Sequence, residues 1–335
     1  MRFTLASVAG VFMLLASPAS AFDCAKASTD VEKKICAEPA LMAADQMLVV
    51  AYNALAARLD AAKQDQLKIS QRNFITLREF CGSAEGSASC ILDKTILRLR
   101  FLAGGVEPAA LSGPMPKMEP LLVQQQGDPK AGLYTIDMAV SVFSEPQSAG
   151  ERAFNDSMNK AVADAPLGPD KGMIEFETEN AWENSLSARI TLLTPDTVSA
   201  EIETYAYEGG AHGSSNVSSV SLNRQTGTII NVSEALGPKA VAALVPVCKD
   251  QIITQKTENL QSVEAGSTYD IKTDDFYSDD TVKTALIDPG AWRLEPGKAT
   301  ITFNSYALGS YAEGRYECSF ATELLNAMSG GKLAL

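Results

Sequence analysis

The sequence has little of the side-chain chemistry that enzymes and metal proteins commonly use. It contains a single histidine, His212, so it cannot build the usual histidine-rich metal site. The H-E-x-x-H, G-x-S-x-G, P-loop, zinc-cysteine and C-x-x-C patterns are all missing. A Ser-His-Asp triad or a carboxylate pair stays open, because the members of such sites need not be neighbours in sequence. We therefore expect a non-enzymatic protein with no catalytic residues, no metal and no cofactor.

Long apolar runs are also missing after the first residues of the chain. Arg2 precedes an apolar run over residues 5–16, and Ala19-Ser20-Ala21 forms a small-x-small cleavage site. No later run approaches the ~20 residues that a helix needs to span a bilayer. Residues 1–21 are thus predicted to be a cleaved signal peptide. We expect a periplasmic or secreted protein without a membrane span.

Positive charge is scarce, with 28 Lys and Arg residues against 41 Asp and Glu residues and a formal net charge of −13. This excess of negative charge argues against nucleic acid or an anionic membrane as the partner. It is compatible with a basic protein partner, although solubility alone is a sufficient and simpler reason for such a charge.

The six cysteines fit an oxidising compartment, in which an even number suggests three disulfides. Cys248 and Cys318 lie far down the chain, and their pairing is the simplest arrangement. The other four are Cys24, Cys36, Cys81 and Cys90. For these we favour Cys24–Cys36 with Cys81–Cys90, and the sequence leaves the other two arrangements open. We interpret all six as structural.

Residues 22–102 have the pattern of a small helical bundle closed by disulfides. Thr29 and Glu32 form a capping box that opens a short helix, and Pro39 suits the first position of the next helix. Apolar residues in that second helix recur at three- and four-residue steps, at Leu41, Ala44, Leu48, Tyr52, Leu55 and Leu59. Two further helices are predicted around Phe74 and Leu99.

The rest of the chain divides into a predicted linker and a mixed region. Glycine and proline interrupt every pattern in residues 103–130, which we interpret as the linker. In residues 131–328, strand-like alternation is separated by helical patterns, including one at 235–256 that Gly237-Pro238 and Pro246 are expected to interrupt. The fold class predicted from this order is α+β, with an antiparallel sheet in the C-terminal part.

Two glycine-containing loops are the candidate partner-binding sites. One holds His212 between Gly210 and Gly213, where glycine permits positive φ and a close approach of the backbone. The other holds Ser310 and Tyr311, and tyrosine is a rigid, amphipathic anchor that is frequent at interfaces. A purely structural turn is the simpler interpretation of the first loop, and for Tyr311 packing on the sheet is as good an interpretation. We predict that these five residues contact the partner.

A set of cysteines and helix positions in residues 22–102 recurs in a known family. The marks are Cys24, Ile35-Cys36, Leu41, Asp45, Tyr52, Gln71-Arg72, Arg78, Cys81, Cys90 and Arg98-Leu99. By these marks the segment resembles the LprI-type lysozyme-inhibitor family, with Phe74 standing where that family commonly has tryptophan. The resemblance implies a helical, disulfide-bonded fold and lysozyme as a partner.

A second resemblance covers most of residues 131–328. Its marks are Tyr207, the Gly-Gly-Ala-His-Gly run at 209–213, Thr226-Gly227, Tyr306 and the Tyr-Ala-Glu-Gly run at 311–314. They resemble the extracellular domain of RsiV, a lysozyme-sensing anti-sigma factor, and related peptidoglycan-deacetylase-associated domains. This chain departs from that sensor because it has neither a membrane helix nor a cytoplasmic sigma-binding segment, so we do not expect signalling across a membrane.

Both resemblances imply lysozyme, and we expect a protein that binds or inhibits lysozyme or another basic protein. Lysozyme uses two carboxylates in a cleft, one of them kept protonated. A protruding loop that offers a hydroxyl, an imidazole or glycine N–H groups suits such a cleft. One alternative is a binding module for peptidoglycan or another envelope component. The other is an enzyme acting on cell-wall glycan, which would need a polar cleft with perturbed carboxylates.

Overall fold

The computed structural model describes residues 23–82, 86–106, 108–128, 132–167 and 182–333. The predicted signal peptide at residues 1–21 lies outside these described residues. The fold class is α+β, as predicted, with an N-terminal helical region followed by a C-terminal region that contains two sheets.

The helical region consists of four helices with the start signals that its sequence predicts. Thr29 accepts a hydrogen bond from Glu32 N, and the Glu32 side chain bonds back to Thr29 N in a capping box. Pro39 is the first residue of the second helix, and Asp60 caps the third by accepting from Lys63 N. The four helices are α1 (Asp30–Ala37), α2 (Pro39–Ala56), α3 (Ala61–Glu79) and α4 (Ser87–Leu102).

Two disulfides and a buried ion pair hold these helices together. Cys24 pairs with Cys36, and Cys81 pairs with Cys90, so the favoured arrangement is confirmed. Arg78 on α3 donates from Nη1 to Asp45 Oδ1 on α2 over 2.8 Å, and both side chains are buried. The small apolar core of this region is therefore supported by covalent and ionic links.

The first sheet has five strands in the order β1-β2-β3-β4-β5. All neighbours are antiparallel except β2 and β3, which are parallel and are connected across one face by helix α5. On that face Phe154, Met158 and Val162 of α5 pack against the buried residues of the sheet. The elements are β1 (Met118–Gln125), β2 (Thr135–Phe143), α5 (Ala149–Asp164), β3 (Glu183–Leu193), β4 (Thr197–Tyr207) and β5 (Ser214–Asn223).

Strand β1 corrects the interpretation of residues 103–130 as a linker. Residues Met118–Gln125 pair along their whole length with β2. Pro120 stands opposite Ser141 in this pairing, and proline is tolerated there because β1 is an edge strand, where a missing N–H need not disrupt a neighbouring ladder. The proline that suggested an extended linker is thus part of the sheet edge.

The second sheet has three antiparallel strands in the order β6-β7-β8 and packs against helices α6 to α8. Gly237 has φ 75° and ψ 165°, so α6 is kinked there as the sequence predicts, whereas Pro246 lies inside continuing helix. Cys248 on α6 pairs with Cys318 on β8, which confirms the third disulfide. The elements are α6 (Val232–Val263), α7 (Asp279–Ile287), β6 (Trp292–Glu295), β7 (Lys298–Phe303), β8 (Tyr316–Ala321) and α8 (Thr322–Met328).

Two different elements, β6 and α3, cover the face of the first sheet that points away from α5. Near β3 and β4 it meets β6, where Thr191 Oγ1 donates to Leu294 O over 2.8 Å and Leu294 N donates to Ser199 Oγ over 3.1 Å. Near β1 it meets α3, where Asn73 Nδ2 donates to Gln124 Oε1 over 3.0 Å. The sheet therefore joins the helical region to the second sheet.

Among the described residues, no single helix is both long and apolar enough to cross a membrane. Helices α1 and α2 meet the length and composition criterion only when taken together, and they are bent by 108° where they join.

Candidate functional site

The two loops that the sequence singles out lie side by side in the structure. One connects β4 to β5, and the other connects β7 to β8. Asn304, at the start of the second loop, bonds the backbone of Val217 in β5 twice. Val217 N donates to Asn304 Oδ1 over 2.7 Å, and Asn304 Nδ2 donates to Val217 O over 3.0 Å. This paired contact fixes the second loop beside the first.

Three aromatic side chains from these loops form a cluster, which we call the aromatic cluster (His212, Tyr306 and Tyr311). The His212 and Tyr311 rings are stacked, with centroids 3.6 Å apart and an interplanar angle of 11°. Tyr306 lies at the side, with its centroid 6.5 Å from that of His212 and 5.9 Å from that of Tyr311. Residues that are distant in sequence thus form one surface feature.

Hydrogen bonds at His212 define how its imidazole faces the cluster. Its Nδ1 lies 2.9 Å from Gly213 O, and because a carbonyl only accepts, Nδ1 is assigned the proton. Nε2 then has a lone pair available to the Tyr306 hydroxyl at 3.4 Å. The imidazole is therefore held in one orientation by its own loop.

Tyr306 has an unusual backbone conformation for so large a residue. Its φ is 70°, and among the described residues it alone combines a positive φ with a side chain other than glycine. Its side chain is 57% exposed, so burial of the ring does not offset the backbone cost. A non-glycine residue in this region costs on the order of 1 kcal/mol and is characteristic of binding and catalytic loops.

The glycines of the first loop have two different roles. Gly210 has φ 96°, its surroundings are open, and its carbonyl accepts from the Tyr207 hydroxyl over 3.1 Å. Gly213 is buried, and a Cβ added there would collide with the ring of Tyr205. Gly210 is thus presented to solvent, whereas Gly213 allows the loop to close against β4.

Ser310 and Glu313 hold the turn that carries Tyr311. Ser310 N donates to Glu313 Oε1 over 2.7 Å, while Glu313 Oε2 accepts from the Tyr316 hydroxyl over 2.7 Å and from Lys256 Nζ over 3.1 Å. Desolvation opposes the ionised carboxylate, but these hydrogen bonds outweigh it and lower the pKa of Glu313. The ionised carboxylate of Glu313 therefore holds the turn in place.

Acidic residues lie in and beside the loops that carry the aromatic cluster. Glu208 lies in the first loop and accepts from the Tyr134 hydroxyl over 2.5 Å. Glu203 accepts from Arg315 and from Ser215, which ties β4 to β5 and to the end of the second loop. Within the described part of the chain, no group of three or more His, Cys, Asp or Glu side chains is placed to hold a metal ion.

The five predicted contact residues therefore meet in one place but differ in exposure. His212 and Gly210 are exposed, and Tyr311 is half-buried beneath the imidazole. Ser310 is half-buried with its N–H used inside the turn, and Gly213 is buried. Partner contact through all five stays a prediction. Tyr306 completes the cluster. The sequence marks it only through the resemblance to RsiV and its place in the second loop, because its positive φ and its contact with His212 arise only in the folded chain.

Comparison with solved structures gives distant likenesses. A DUF3298 family protein from Pseudomonas aeruginosa PAO1 is 18% identical, with a TM-score of 0.41 over 64% of this chain and 94% of the other. A DUF3298 family member from Bacteroides fragilis is 12% identical, with a TM-score of 0.42 over 64% of this chain and 97% of the other. At these scores neither protein carries an argument about function, and the resemblance of residues 131–328 to RsiV stays a prediction.

No curated protein matches the chain. A family model described as "Lysozyme inhibitor LprI" matches residues 23–102. The matched segment is the helical region α1–α4, including both of its disulfides.

Proposed function

We propose that this protein is exported and binds lysozyme without catalysing a reaction of its own. The observation that carries the proposal is the match of residues 23–102 to the lysozyme-inhibitor family model. Three disulfides fit an oxidising compartment such as the periplasm or the cell exterior. Inhibition follows if the bound protein covers the lysozyme cleft.

The match supports lysozyme as the class of partner, and the geometry of the loops supports the contact surface separately. The aromatic cluster is ordered before any partner arrives, because His212 is stacked on Tyr311 and bonded to its own loop. Binding by such a surface loses little side-chain entropy, and tyrosine supplies large contact area with few rotatable bonds. The aromatic cluster is therefore the proposed contact surface.

The chemistry of the cluster suits the cleft of a glycan-cleaving enzyme. Lysozyme places two carboxyl groups in its cleft. The exposed Tyr306 hydroxyl can exchange its 3.4 Å contact with His212 Nε2 for a hydrogen bond to such a group, and the exposed turn at Gly210 has room for a close approach. These groups can bind carboxylates without bringing an uncompensated buried charge into the interface.

Long-range charge supports association with a basic lysozyme. The formal net charge is −13, and Glu208 lies in the same loop as His212. Complementary charge accelerates encounter mainly at low ionic strength. The proposal therefore includes an association rate that falls as salt is added.

The competing contact surface lies on the helical region itself. Met47 and Val50 are each 62% exposed and stand one helical turn apart on α2. Exposed apolar pairs of this kind also occur without any function. The variants in the Discussion separate this surface from the aromatic cluster.

The test uses the mature chain, residues 22–335, with a basic animal lysozyme and a suspension of cell walls. We expect clearing of the suspension to slow in proportion to added protein, and gel filtration to yield a complex. Clearing that proceeds unchanged at a large molar excess, with no complex on the column, would overturn the proposal. Pull-down on washed sacculi without lysozyme is the parallel experiment, and retention there alone would favour a peptidoglycan-binding module.

A further inference from the structure

A cavity of about 450 Å³ lies between the helical region and the first sheet. We call it the helix–sheet cleft. Phe74, Leu97 and Arg98 contribute its helical wall, and Asp137 and Glu183 contribute its sheet wall. Its volume lies within the range of pockets that hold small molecules. The aromatic cluster contains none of these residues, so the cleft needs an explanation of its own.

Arg98 is the central group of the helical wall, and it is 8% exposed. Its Nε donates to Gln71 Oε1 over 3.0 Å, and its Nη1 donates to Ser70 Oγ over 3.0 Å. The guanidinium carbon lies 5.7 Å from the Phe74 ring centroid and 5.1 Å from that of Phe101. The side chain is thereby fixed on three sides.

One donor of Arg98 is left over. Nη2 is buried and has no hydrogen-bond partner among the described residues. Burial lowers the pKa of this guanidinium to about 10, with Asp137 opposing the shift. A buried charged group with an unused N–H costs free energy until an acceptor reaches it. Arg98 Nη2 therefore lacks an oxygen acceptor. A carboxylate is the strongest acceptor for a guanidinium.

The sheet wall carries two carboxyl groups, Asp137 and Glu183, that form no ion pair with another described residue, although the nearby Arg98 charge acts to lower the pKa of Asp137. Asp137 Oδ1 accepts from Gln124 Nε2 over 2.7 Å. Burial raises the pKa of Asp137, and burial together with Asp137 raises the pKa of Glu183. Two carboxyl groups that destabilise each other's charge are stabilised when a cation lies between them. The sheet wall therefore suits a positively charged group.

The remaining lining mixes apolar side chains with further charged ones, which are Lys94, Arg100, Arg189, Glu201 and Glu203. Phe74 and Phe101 flank Arg98, and Leu97 is 54% exposed although it belongs to a packed helix. Large apolar side chains that are exposed to water in a concave surface are stabilised when an aliphatic group covers them. The cleft thus combines an unused donor, an acidic wall and an uncovered apolar wall.

We infer that the helix–sheet cleft binds a small zwitterion, an amino acid or short peptide with an aliphatic side chain. Its carboxylate accepts from Arg98 Nη2, its ammonium donates to Asp137 and Glu183, and its side chain covers Phe74 and Leu97. A simple anion would meet the two carboxyl groups unfavourably, and a simple cation would leave the Arg98 donor unused. A zwitterion satisfies both walls at once.

The binding test uses calorimetric titration of the mature protein with leucine and with the dipeptide Leu-Leu. We expect saturable binding of at least one of them. The matched probes are N-acetyl-leucine and N-acetyl-Leu-Leu, which lack the ammonium, and leucinamide and Leu-Leu-amide, which lack the carboxylate. Each blocked form should bind at least tenfold more weakly than its parent. Absence of binding by both parents, or equal binding by the blocked forms, would overturn the inference.

Two variants connect the binding to the named groups. Arg98→Gln should weaken the zwitterion at least tenfold, and circular dichroism reports whether the helices persist. Because Arg98 is buried and its loss can unfold the helices, half-buried Glu183→Gln is the second variant, with the same expected direction.

Glu145→Gln is the matched control, since Glu145 pairs with Lys117 at the surface, 2.8 Å away. Unchanged affinity in folded Arg98→Gln and Glu183→Gln proteins would contradict the assignment. Lysozyme binding in these variants should stay at the parent level.

Discussion

Lys256 Nζ lies 3.1 Å from Glu313 Oε2, and this ion pair connects helix α6 to the turn that carries Tyr311. The same ammonium lies 2.5 Å from Asp274 Oδ2 and within about 5 Å of the centroid of the Tyr316 ring. Lys256 is 3% exposed, so its charge is stabilised by these neighbours rather than by water. The position of the aromatic cluster is therefore linked to a buried charge beneath it.

The first prediction concerns acid. Desolvation acts to raise the pKa of Asp274 and of Glu313, but hydrogen bonds from Lys256, Tyr269 and Tyr316 outweigh it and lower both values. A lowered folded-state pKa contributes stability that is fully present above the unfolded-state value and is lost as pH falls through the folded-state value. We expect the free energy of unfolding and the affinity for lysozyme to decline together as pH falls below about 4.5.

Urea denaturation and lysozyme titration between pH 7 and pH 3 check this prediction. Glu313→Gln should be less stable than the parent at pH 7 and should lose less stability on acidification. A Glu313→Gln protein with the parent's stability at every pH would show that the carboxylate does not support the turn.

The second prediction concerns the contact surface. Tyr311→Ala removes the ring on which His212 is stacked and should weaken lysozyme binding at least tenfold, because tightly packed aromatic anchors dominate interface energies. Phe276→Ala is the matched control, since Phe276 is 47% exposed and lies outside the aromatic cluster. It should bind as the parent does.

The doubly substituted protein with Met47→Glu and Val50→Glu tests the competing surface on α2. If that protein loses binding while Tyr311→Ala retains it, the contact surface belongs to the helical region, and the assignment to the aromatic cluster is wrong. Surface-immobilised lysozyme gives the dissociation rates, in which most interface variants show their effect.

The third prediction concerns Gly213. A Cβ at this position collides with the Tyr205 ring, so Gly213→Ala should displace the end of the hairpin. Overpacking of this kind typically costs about 1–3 kcal/mol, and the displaced loop should also weaken lysozyme binding. Ser214→Ala, at the exposed neighbouring position, should change stability by less than about 0.5 kcal/mol. Thermal and urea unfolding give both values, and equal stability of the two variants would contradict the close packing.

The fourth prediction concerns the ion pair between Arg78 and Asp45. Both side chains are buried, so Asp45→Ala leaves an uncompensated guanidinium and should cost about 3–5 kcal/mol. The exposed pair of Lys34 and Glu38, 3.4 Å apart, supplies the control. Glu38→Ala should cost less than about 1 kcal/mol. Urea denaturation followed by helical ellipticity measures the free energy of unfolding of both variants. A small loss of stability for Asp45→Ala would mean that water reaches Arg78.

The fifth prediction compares two disulfides. Cys248 and Cys318 are separated by 70 residues, whereas Cys24 and Cys36 are separated by 12. In the chain-entropy model the longer loop gives the larger stabilisation, about 4 kcal/mol against about 3 kcal/mol. Replacing Cys248 and Cys318 by alanine also removes buried sulfur, which should widen the difference. Calorimetry of the two double variants checks the order, and a reversed order would contradict the model.

Local signals in the sequence were sufficient for much of the fold. The capping box at Thr29, the first-turn position of Pro39 and the kink at Gly237 each follow from backbone chemistry within a few residues. The three disulfides also agree with the favoured pairing. These features could be predicted because each depends on neighbours in the chain or on a small number of pairing choices.

Features that depend on distant partners could not be predicted. Pro120 suggested a linker, because no local pattern shows that its segment pairs with β2 at a sheet edge. The stacking of His212 on Tyr311 requires two separate hairpins to meet, and the unused donor of Arg98 exists only because α4 faces the sheet. Candidate loops were therefore accessible from sequence, whereas their assembly and the helix–sheet cleft were not.

The contact between α3 and β1 also has a consequence for solubility. Gln124 N, on the outer side of the edge strand β1, donates to Gln66 Oε1 of α3 over 2.7 Å, and Lys63 of the same helix lies 3.0 Å from Glu119. An uncovered edge strand is a template onto which another molecule can add its own strand. Helix α3 thus shields the sheet from self-association, and a chain shortened to begin after the helices would present a bare edge prone to aggregation.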